Sequence, residues 1–377
     1  MPDFSELLQG IMDFRWQYLV MYAIGGILIY LAIKKEYEPM LLLPIGFGSI
    51  LVNLPLNTIW ESEGQDGILK IFYEKGILTE IFPILIFIGI GAMVDFTALF
   101  ANPKMIFFGA AAQFGIFFTI ITAILLGFDL KEAASIGIIG AADGPTSIVV
   151  ASKFAKQLLG PISVAAYSYM ALVPIIQPPV VKALTTKKER MIRMEYKEVK
   201  VSKTIKILFP IVVTIVSGIV APISVALIGM LMFGNLLKEC GVVERLAKSA
   251  ENELSNVVTI FLGITIGSTM KYEAFLRKET LMILGLGLVA FIFDTAGGVL
   301  FAKFFNLFSK NKINPIVGAA GISAFPMAAR VAQKIAKEED PTNFILMPAV
   351  SANVAGQIGS IMAGGIVLAV VPWLLSH

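Results

Sequence analysis

The chain has 377 residues, of which 57% are hydrophobic and only 15% charged, and its formal net charge is +3. Soluble domains have about a quarter of their residues charged. This composition and a mean hydropathy of +0.82 therefore indicate an all-α polytopic membrane protein. With one cysteine, Cys240, and one histidine, His377, the chain has no internal disulfide, and histidine-based catalytic or metal sites are not expected.

Twelve hydrophobic runs follow one another along the chain, and each membrane crossing needs about 20 mainly apolar residues. Six precede the charged stretch TTKKERMIRMEYKEVKVSK: 17–34, 39–56, 79–97, 104–127, 133–152 and 160–183. Six follow it: 205–220, 221–237, 255–270, 279–306, 314–329 and 342–375. We predict that residues 184–204 form a basic linker between two units, 1–183 and 205–377.

The two units are similar in sequence, which indicates an internal duplication. EPMLLLPIGFGSILVNL (38–54) resembles APISVALIGMLMFGNLL (221–237), and IFIGIGAM (86–93) resembles IFLGITIG (260–267). IIGAADGPTSIVVAS (138–152) resembles IVGAAGISAFPMAAR (316–330). The three pairs occur in the same order in both units, which chance matches of Gly, Ala and Ile do not readily produce.

The fifth run of each unit, near 133–152 and near 314–329, is too rich in Gly, Ala, Ser and Pro for an ordinary crossing. Non-helical backbone at membrane depth is tolerated only where protein buries it or where it lines a wet cavity. We therefore expect a re-entrant or discontinuous segment in each unit, beside about five crossings. An odd number of crossings inverts the second unit, which predicts the two inverted repeats typical of secondary transporters.

Basic residues in short loops mark the cytoplasmic side of a membrane protein. The linker, KKEYE (34–38), the loop near 239–248, SKNK (309–312) and KIAKEED (334–340) all fall on one side when the crossings are counted from the linker. The acidic loop WESEGQDG (60–67) falls on the other side. The pattern predicts that the linker is cytoplasmic.

A single acid lies inside the first broken segment, IGIIGAADGPTSIVVASKFAK (136–156). A charge at the bilayer centre costs roughly 2.5–3.5 kcal/mol and usually marks an ion or proton path. Gly144 and Pro145 interrupt the helix beside Asp143, and Thr146 and Ser147 add hydroxyl groups. Such oxygen donors suit a hard cation such as Na⁺. The alternative is an aspartate that caps a helix at the interface.

The second broken segment, NPIVGAAGISAFPMAAR (314–330), carries Asn314, Ser323 and Arg330 but no acid. Arg330 is either a snorkelling side chain at the cytoplasmic interface or a partner for the carboxylate of an anionic substrate, which a guanidinium grips bidentately.

The last run of each unit adds further polar groups. Tyr167 and Tyr169 lie within a predicted crossing, where a tyrosine usually needs a hydrogen-bond partner. In VSANVAGQIGSIMAGG (350–365), Asn353, Gln357 and Ser360 recur at near-helical spacing, which suits either helix packing or ion coordination. Asp294 in FIFDTAGG either binds an ion or caps a helix break near 297–298.

These motifs together resemble a known family. GAADGPT (140–146), the segment 314–330 and ANVAGQIGS (352–360) resemble the β subunit of the sodium-pumping biotin-dependent decarboxylases, which act on oxaloacetate, methylmalonyl-CoA or glutaconyl-CoA. The resemblance covers nearly the whole chain. It implies a membrane subunit that decarboxylates carboxybiotin, consumes a proton and exports Na⁺, so that Na⁺ and carboxybiotin are its ligands.

The resemblance also implies roles for residues that match the family's motifs. The Na⁺-site residues would be Asp143, Asn314, Gly318, Ser323 and Asn353. The catalytic residues would be Arg330, which would also bind carboxybiotin, together with Tyr169 and Ser323.

The resemblance further implies partners and a location. A biotin carrier protein, a carboxyltransferase α subunit, a small membrane γ or δ subunit and further copies of the chain would complete the complex in the bacterial inner membrane. No nucleic-acid partner is expected.

The alternative function is a Na⁺- or H⁺-coupled transporter of an organic anion, which would need the same repeats, the same Asp143 and the same Arg330 but no biotin carrier. Transport would be accomplished by movement of a core (79–183 and 255–375) against the outer helices.

Overall fold

A computed structural model describes residues 9–62, 64–194 and 199–376. His377 lies outside the described residues. Apart from one short antiparallel hairpin, β1 (Glu61–Ser62) and β2 (Gln65–Asp66), the described chain is helical. The prediction of an all-α chain therefore holds except at this hairpin, whose polar, glycine-containing sequence cannot form part of a crossing.

In the part of the first unit that the structure describes, twelve α-helices follow a short helical segment at residues 9–12. They are α1 (Trp16–Lys35), α2 (Pro39–Val52), α3 (Ile68–Phe72), α4 (Ile81–Met93), α5 (Thr97–Ala101), α6 (Ile106–Ala111), α7 (Phe114–Leu125), α8 (Leu130–Gly137), α9 (Gly144–Phe154), α10 (Leu159–Ala171), α11 (Val173–Leu184) and, at the start of the linker, α12 (Lys187–Arg190).

The second unit contains nine further helices in the part that the structure describes. They are α13 (Lys203–Val220), α14 (Val225–Cys240), α15 (Glu244–Ser249), α16 (Ser255–Ser268), α17 (Tyr272–Phe275), α18 (Lys278–Phe308), α19 (Ile316–Ala319), α20 (Met327–Glu339) and α21 (Leu346–Ser376).

Six of the described helical segments are long and apolar enough to cross a membrane: Trp16–Lys35, Pro103–Leu125, Lys203–Val220, Pro222–Cys240, Lys278–Phe308 and Leu346–Ser376. The number rises to eight if the bent pairs Ile68–Ile77 with Ile81–Met93 and Lys156–Ala171 with Val173–Leu184 each count as one span. The chain is therefore a membrane protein. Five crossings per unit, in inverted orientation, stay a prediction.

Two helix pairs connect the units through close glycine contacts. Helix α2 packs on α16, and α4 packs on α14. A Cβ added at Gly48 would lie 2.3 Å from the Ile264 carbonyl oxygen, and one at Gly91 would lie 1.9 Å from the Leu231 carbonyl oxygen. Any side chain at these glycines would force the helices apart, because small residues allow backbones in membranes to approach closely.

The run predicted at 104–127 is not one continuous α-helix, because a turn at residues 112–113 interrupts it between α6 and α7. Asp294, which is fully buried in α18, accepts a hydrogen bond from the Ile116 backbone N–H at 3.2 Å. It therefore caps the N-terminal turn of α7, whose first N–H groups have no partner within that helix. The expected break at 297–298 is wrong, since α18 is continuous from Lys278 to Phe308.

The start of the linker is attached to α20 by ion pairs. Arg190 pairs with Glu339 at 2.7 Å, and Arg193 pairs with Asp340 at 2.8 Å. Hydrogen bonds from Thr342 and Arg193 lower the pKa of Asp340 to about 2. Asp340 is therefore ionised at neutral pH, and this attachment persists until the pH falls far below the physiological range.

Candidate functional site

The first broken segment ends at Asp143, which is buried with 4% of its surface exposed. After a 3₁₀ turn at Ile138–Ala141, Ala142 adopts a left-handed conformation (φ 52°), and Asp143 becomes the N-cap of α9. Pro145 lies in the first turn of α9, where its missing N–H costs no hydrogen bond. Asp143 therefore caps a helix, as the alternative interpretation predicted, but it does so inside the protein and not at the membrane interface.

Three donors surround the Asp143 carboxylate. Thr146 donates from its backbone N–H to Oδ1 at 3.2 Å and from its hydroxyl to Oδ2 at 2.8 Å. The Ser360 hydroxyl of α21 donates to Oδ2 at 2.9 Å. All three donors are neutral, so they stabilise the carboxylate but leave its charge uncompensated.

The second broken segment lies directly against the first. The Ser323 backbone N–H donates to the Ala141 carbonyl at 3.3 Å, and the Gln357 side chain of α21 donates to the Ser323 carbonyl. The Ser323 hydroxyl is buried, interacts with the Asp143 carboxylate and makes no hydrogen bond to any other described residue. A hydroxyl that faces only this carboxylate keeps its oxygen lone pairs available for a cation bound there.

A cavity of about 160 Å³ opens between these segments and helices α2, α4 and α16. Its lining includes Asp143, Tyr167, Ser323 and Gln357 on one side and Glu38 and Thr259 on the other. Because a water molecule takes about 30 Å³, this space suits an ion with a few waters. It is smaller than the roughly 300–1,000 Å³ of typical small-molecule pockets.

Tyr167, not Tyr169, is the tyrosine of this cavity. Its side chain is 2% exposed, its hydroxyl has no hydrogen-bond partner among the described residues, and its ring covers Gly144. A Cβ added at Gly144 would lie 2.2 Å from that ring. The sequence placed both tyrosines inside a crossing, but it could not identify which helix face turns towards Asp143.

Tyr169 lies outside the cavity lining. Its hydroxyl donates to the Leu284 carbonyl of α18, and its ring packs against Gly287. The structure therefore places this predicted catalytic tyrosine in a helix–helix contact between α10 and α18.

The other predicted Na⁺-site residues separate into two groups. Asn353 is fully buried close to Ser323, since its side-chain amide donates to the Ile322 carbonyl at 2.6 Å and its Oδ1 has no partner among the described residues. Asn314 donates instead to the Arg190 and Ile192 carbonyls of the linker, both at 2.8 Å. The structure thus brings Asn353 near the second break and commits Asn314 to holding the linker.

Gly318 is a packing position. A Cβ there would lie 2.0 Å from the Gly298 carbonyl oxygen of α18, so only glycine allows this approach. The Gly318 carbonyl accepts the Gly321 backbone N–H at 3.1 Å, and Gly318 does not line the cavity with Asp143.

Arg330 lies in the first turns of α20 and is exposed. It makes no hydrogen bond or ion pair through its side chain within the described part of the protein. It is not among the cavity-lining residues. Its side chain is therefore free for a partner, and its role in binding a carboxylate stays a prediction.

The described residues contain no group of three or more His, Cys, Asp and Glu side chains that could hold a metal ion. The donor set around Asp143 consists instead of one carboxylate with hydroxyl, amide and carbonyl oxygens. Such a set fits a weakly bound monovalent cation better than a transition metal, which prefers nitrogen or sulfur ligands.

Comparison with known proteins gives one consistent result. Residues 17–371 match the family described as Na⁺-transporting oxaloacetate decarboxylase beta subunit. The chain is 51% identical over 392 residues to the methylmalonyl-CoA decarboxylase subunit beta of Propionigenium modestum, covering 96% of this chain and 99% of that protein.

Two further relatives carry different substrate names. The chain is 53% identical to the glutaconyl-CoA decarboxylase subunit beta of Acidaminococcus fermentans, over 96% of this chain and 95% of that protein. It is 44% identical to a probable oxaloacetate decarboxylase beta chain of Vibrio cholerae, over 95% and 96% respectively.

Proposed function

Since the chain belongs to the Na⁺-transporting decarboxylase beta-subunit family, we propose that it decarboxylates carboxybiotin and couples that reaction to Na⁺ export. The resemblance inferred from GAADGPT and ANVAGQIGS is confirmed at the level of the family. The residue assignments below are proposals that rest on the geometry.

The observation that carries this proposal is Asp143, a carboxylate buried in a cavity and surrounded by neutral donors only. An unpaired carboxylate is expensive inside a membrane, so a cation or a proton must neutralise it. Na⁺ would bind the Asp143 carboxylate with the Ser323, Thr146 and Ser360 hydroxyls. Asn353, whose Oδ1 has no partner, would support the second break.

A single carboxylate cannot bind Na⁺ and a proton tightly at the same time. The two cations therefore compete, and the site can exchange one for the other. Decarboxylation of carboxybiotin releases CO₂ and leaves a ring nitrogen that must take up one proton. We propose that a proton replaces Na⁺ at Asp143 as Na⁺ leaves towards the outside, and that this proton is then transferred to the biotin ring nitrogen from which CO₂ departs. Moving one charge against 100 mV costs about 2.3 kcal/mol, which the chemical step must supply.

Carboxybiotin is larger than the ion and would bind outside the cavity. Arg330, exposed and without an ion pair in the described structure, is the proposed partner of its carboxylate. Helix α20 continues from Arg330 to Glu338 and Glu339, which pair with Lys182 and Arg190 beside the linker. A biotin carrier that approaches the linker side would therefore reach Arg330 from the cytoplasm.

The inverted-repeat arrangement is also a proposal. It is supported by the two equivalent contacts, α2 on α16 and α4 on α14, each of which joins one element of the first unit to one of the second. The core expected from the sequence, 79–183 and 255–375, includes α4 and α16. Because α4 packs on α14 and α16 packs on α2, and both α14 and α2 lie outside that core, we propose a smaller moving body of residues 97–184 and 278–376. The complete complex, in a bacterial inner membrane with the linker cytoplasmic, would add the biotin carrier, the carboxyltransferase, a small membrane subunit and further copies of this chain.

The central experiment compares Asp143→Asn with wild type in the reconstituted complex, measuring carboxybiotin decarboxylation and Na⁺ uptake into vesicles. Losing the partner of a buried ion costs about 3–5 kcal/mol, so Na⁺-dependent turnover should fall by about 100-fold or more. Full Na⁺-dependent turnover in Asp143→Asn would contradict the proposal.

Asp294→Asn is the matched control, because Asp294 is also buried but caps α7 and does not line the cavity that contains Asp143. It should lower stability while leaving the Na⁺ concentration for half-maximal rate close to wild type. The chain tested alone, without a biotin carrier, should move no organic anion. Uptake of such a solute would favour the transporter alternative.

A further inference from the structure

A second acid lies in the same cavity as Asp143. Glu38 forms the end of the connection between α1 and α2, with a left-handed backbone (φ 36°) directly before Pro39. Its carbonyl accepts the Leu41 and Leu42 backbone N–H groups, both at 3.0 Å. The start of α2 therefore holds Glu38 in place, and its side chain lines the cavity together with Leu41 one turn further on.

The Glu38 carboxylate is half-buried and has no hydrogen bond or ion pair with any described residue. Two lysines, Lys34 and Lys35, lie close in sequence, but both are exposed and neither lines the cavity. Among the described residues that line the cavity, Glu38 and Asp143 are the only charged ones.

Two carboxylates, with no lysine or arginine among the described lining residues, produce a negative potential in this confined, mostly apolar space. Low-dielectric walls focus such a field and raise the local concentration of cations. The rest of the described lining is neutral and includes Ile86, Ile90 and Thr259. Among the described lining residues, a cation therefore meets carboxylate oxygens only at Glu38 and at Asp143.

Glu38 lies at the cytoplasmic mouth of the cavity, by the orientation proposed above. Met93, another lining residue, accepts a hydrogen bond through its carbonyl from Lys238 at 3.0 Å. The neighbouring Glu239 pairs with Lys206 at 3.4 Å, and Lys206 lies in the first turn of the helix that follows the linker. Met93 therefore lies on the linker side, the side on which the predicted orientation also places Glu38.

We infer that Glu38 is an additional cation-binding group, which attracts Na⁺ at the linker-side mouth of the cavity before the ion reaches Asp143. This inference rests on the proposed function. Glu38 precedes α2, which packs with the outer helices, whereas Asp143 begins α9. A movement between these two bodies would separate the acids, so that Glu38 assists loading from the cytoplasm and does not hold the ion during release.

The test measures decarboxylation by the reconstituted complex against Na⁺ concentration, at low ionic strength and again with added choline chloride. Glu38→Gln should raise the Na⁺ concentration for half-maximal rate by about 3–10-fold with little change in maximal rate. The difference should shrink partly at high ionic strength, because salt with a screening length of about 10 Å at 0.1 M reaches a half-buried charge at the cavity mouth, though less than a fully exposed one.

Two variants control for structure and for charge. Glu38→Asp keeps the charge and should stay within about twofold of wild type. Glu36→Gln removes an equal charge from an exposed neighbour outside the cavity lining, so it should leave the Na⁺ dependence unchanged. A Glu36→Gln shift as large as that of Glu38→Gln would reduce the effect to general surface charge and overturn the inference.

A chemical variant keeps the test decisive if Glu38→Gln folds poorly. Glu38→Cys, in a Cys240→Ser background, would be treated with a sulfonate-bearing or an uncharged methanethiosulfonate reagent. The sulfonate should restore the wild-type Na⁺ dependence and the uncharged reagent should not. Equal effects of both reagents would contradict a role for the charge.

The two proposals fail in distinguishable ways. If Asp143→Asn abolishes the Na⁺ dependence but Glu38→Gln shows the same dependence of rate on Na⁺ concentration as wild type, only the inference about Glu38 is wrong. If Asp143→Asn retains the Na⁺ dependence, the proposed site itself is wrong, whatever Glu38→Gln does.

Discussion

The two broken segments have similar sequences and touch each other, yet only the first carries an acid. When GAAD (140–143) is matched with GAAG (318–321), Asp143 corresponds to Gly321. Both first glycines pack on α18, because a Cβ would lie 2.2 Å from Asp294 Oδ2 at Gly140 and 2.0 Å from the Gly298 carbonyl at Gly318. Both segments therefore pack on α18, but only the first provides a carboxylate that can bind a cation.

The largest effect is expected from Gly321→Asp, which places an acid in the second broken segment at the position that corresponds to Asp143. A Cβ there would lie 2.5 Å from the Phe108 carbonyl oxygen, and backbone atoms cannot move aside cheaply. We expect a loss of more than about 4 kcal/mol of stability, as for the largest single-residue effects. The yield of folded protein and its melting temperature in detergent would check this.

Gly285→Ala is the control for Gly321→Asp, because no atom lies within 4 Å of a Cβ at Gly285. It should fold like wild type. If Gly321→Asp folds normally and binds a second Na⁺, packing is not the reason that the second break lacks an acid.

An intermediate effect is expected from the hydroxyls that the two breaks contribute. Thr146→Val keeps the shape of the side chain and removes the 2.8 Å hydrogen bond to Asp143. Hydrogen bonds to charged groups contribute about 1.5–3 kcal/mol, so the Na⁺ concentration for half-maximal rate should rise by roughly tenfold or more.

Ser323→Ala removes a hydroxyl that faces the Asp143 carboxylate and makes no hydrogen bond to any other described residue. It should therefore affect Na⁺ binding but not stability, whereas Thr146→Val should affect both. A fall in melting temperature for Ser323→Ala with unchanged Na⁺ dependence would show that the second break contributes packing alone.

The smallest effect on Na⁺ is expected at Asn314, at the start of the second broken segment. Asn314→Ala removes two hydrogen bonds to linker carbonyls, each worth about 0.5–1.5 kcal/mol, and should lower the melting temperature. The Na⁺ dependence of the rate should stay within about twofold of wild type, because the side chain contacts the linker and not Asp143. A clear loss of Na⁺ affinity at unchanged melting temperature would favour the role as a Na⁺ ligand that the resemblance implies.

Much of the site could be predicted because its signals are local. Asp143, Gly144 and Pro145 are adjacent in sequence, and a charge next to a helix breaker in an apolar run is unusual enough to identify a functional segment. Ser323 was found within the second broken segment, whereas Asn353 was found through its spacing with Gln357 and Ser360 and through the resemblance to the family. Glu38 gave no such signal, because an acid in a basic loop reads as an ordinary surface residue.

Composition, the placement of Gly and Pro, and contiguous motifs were enough to predict a helical membrane protein with two broken segments that resembles the sodium-pumping decarboxylases. They could not show that Tyr167 and not Tyr169 lines the cavity with Asp143, that Asn314 holds the linker or that Asp294 caps α7. Each of these depends on which face of a helix meets a neighbour distant in sequence, and in an almost uniformly apolar chain the hydrophobic pattern carries too little information to identify that face.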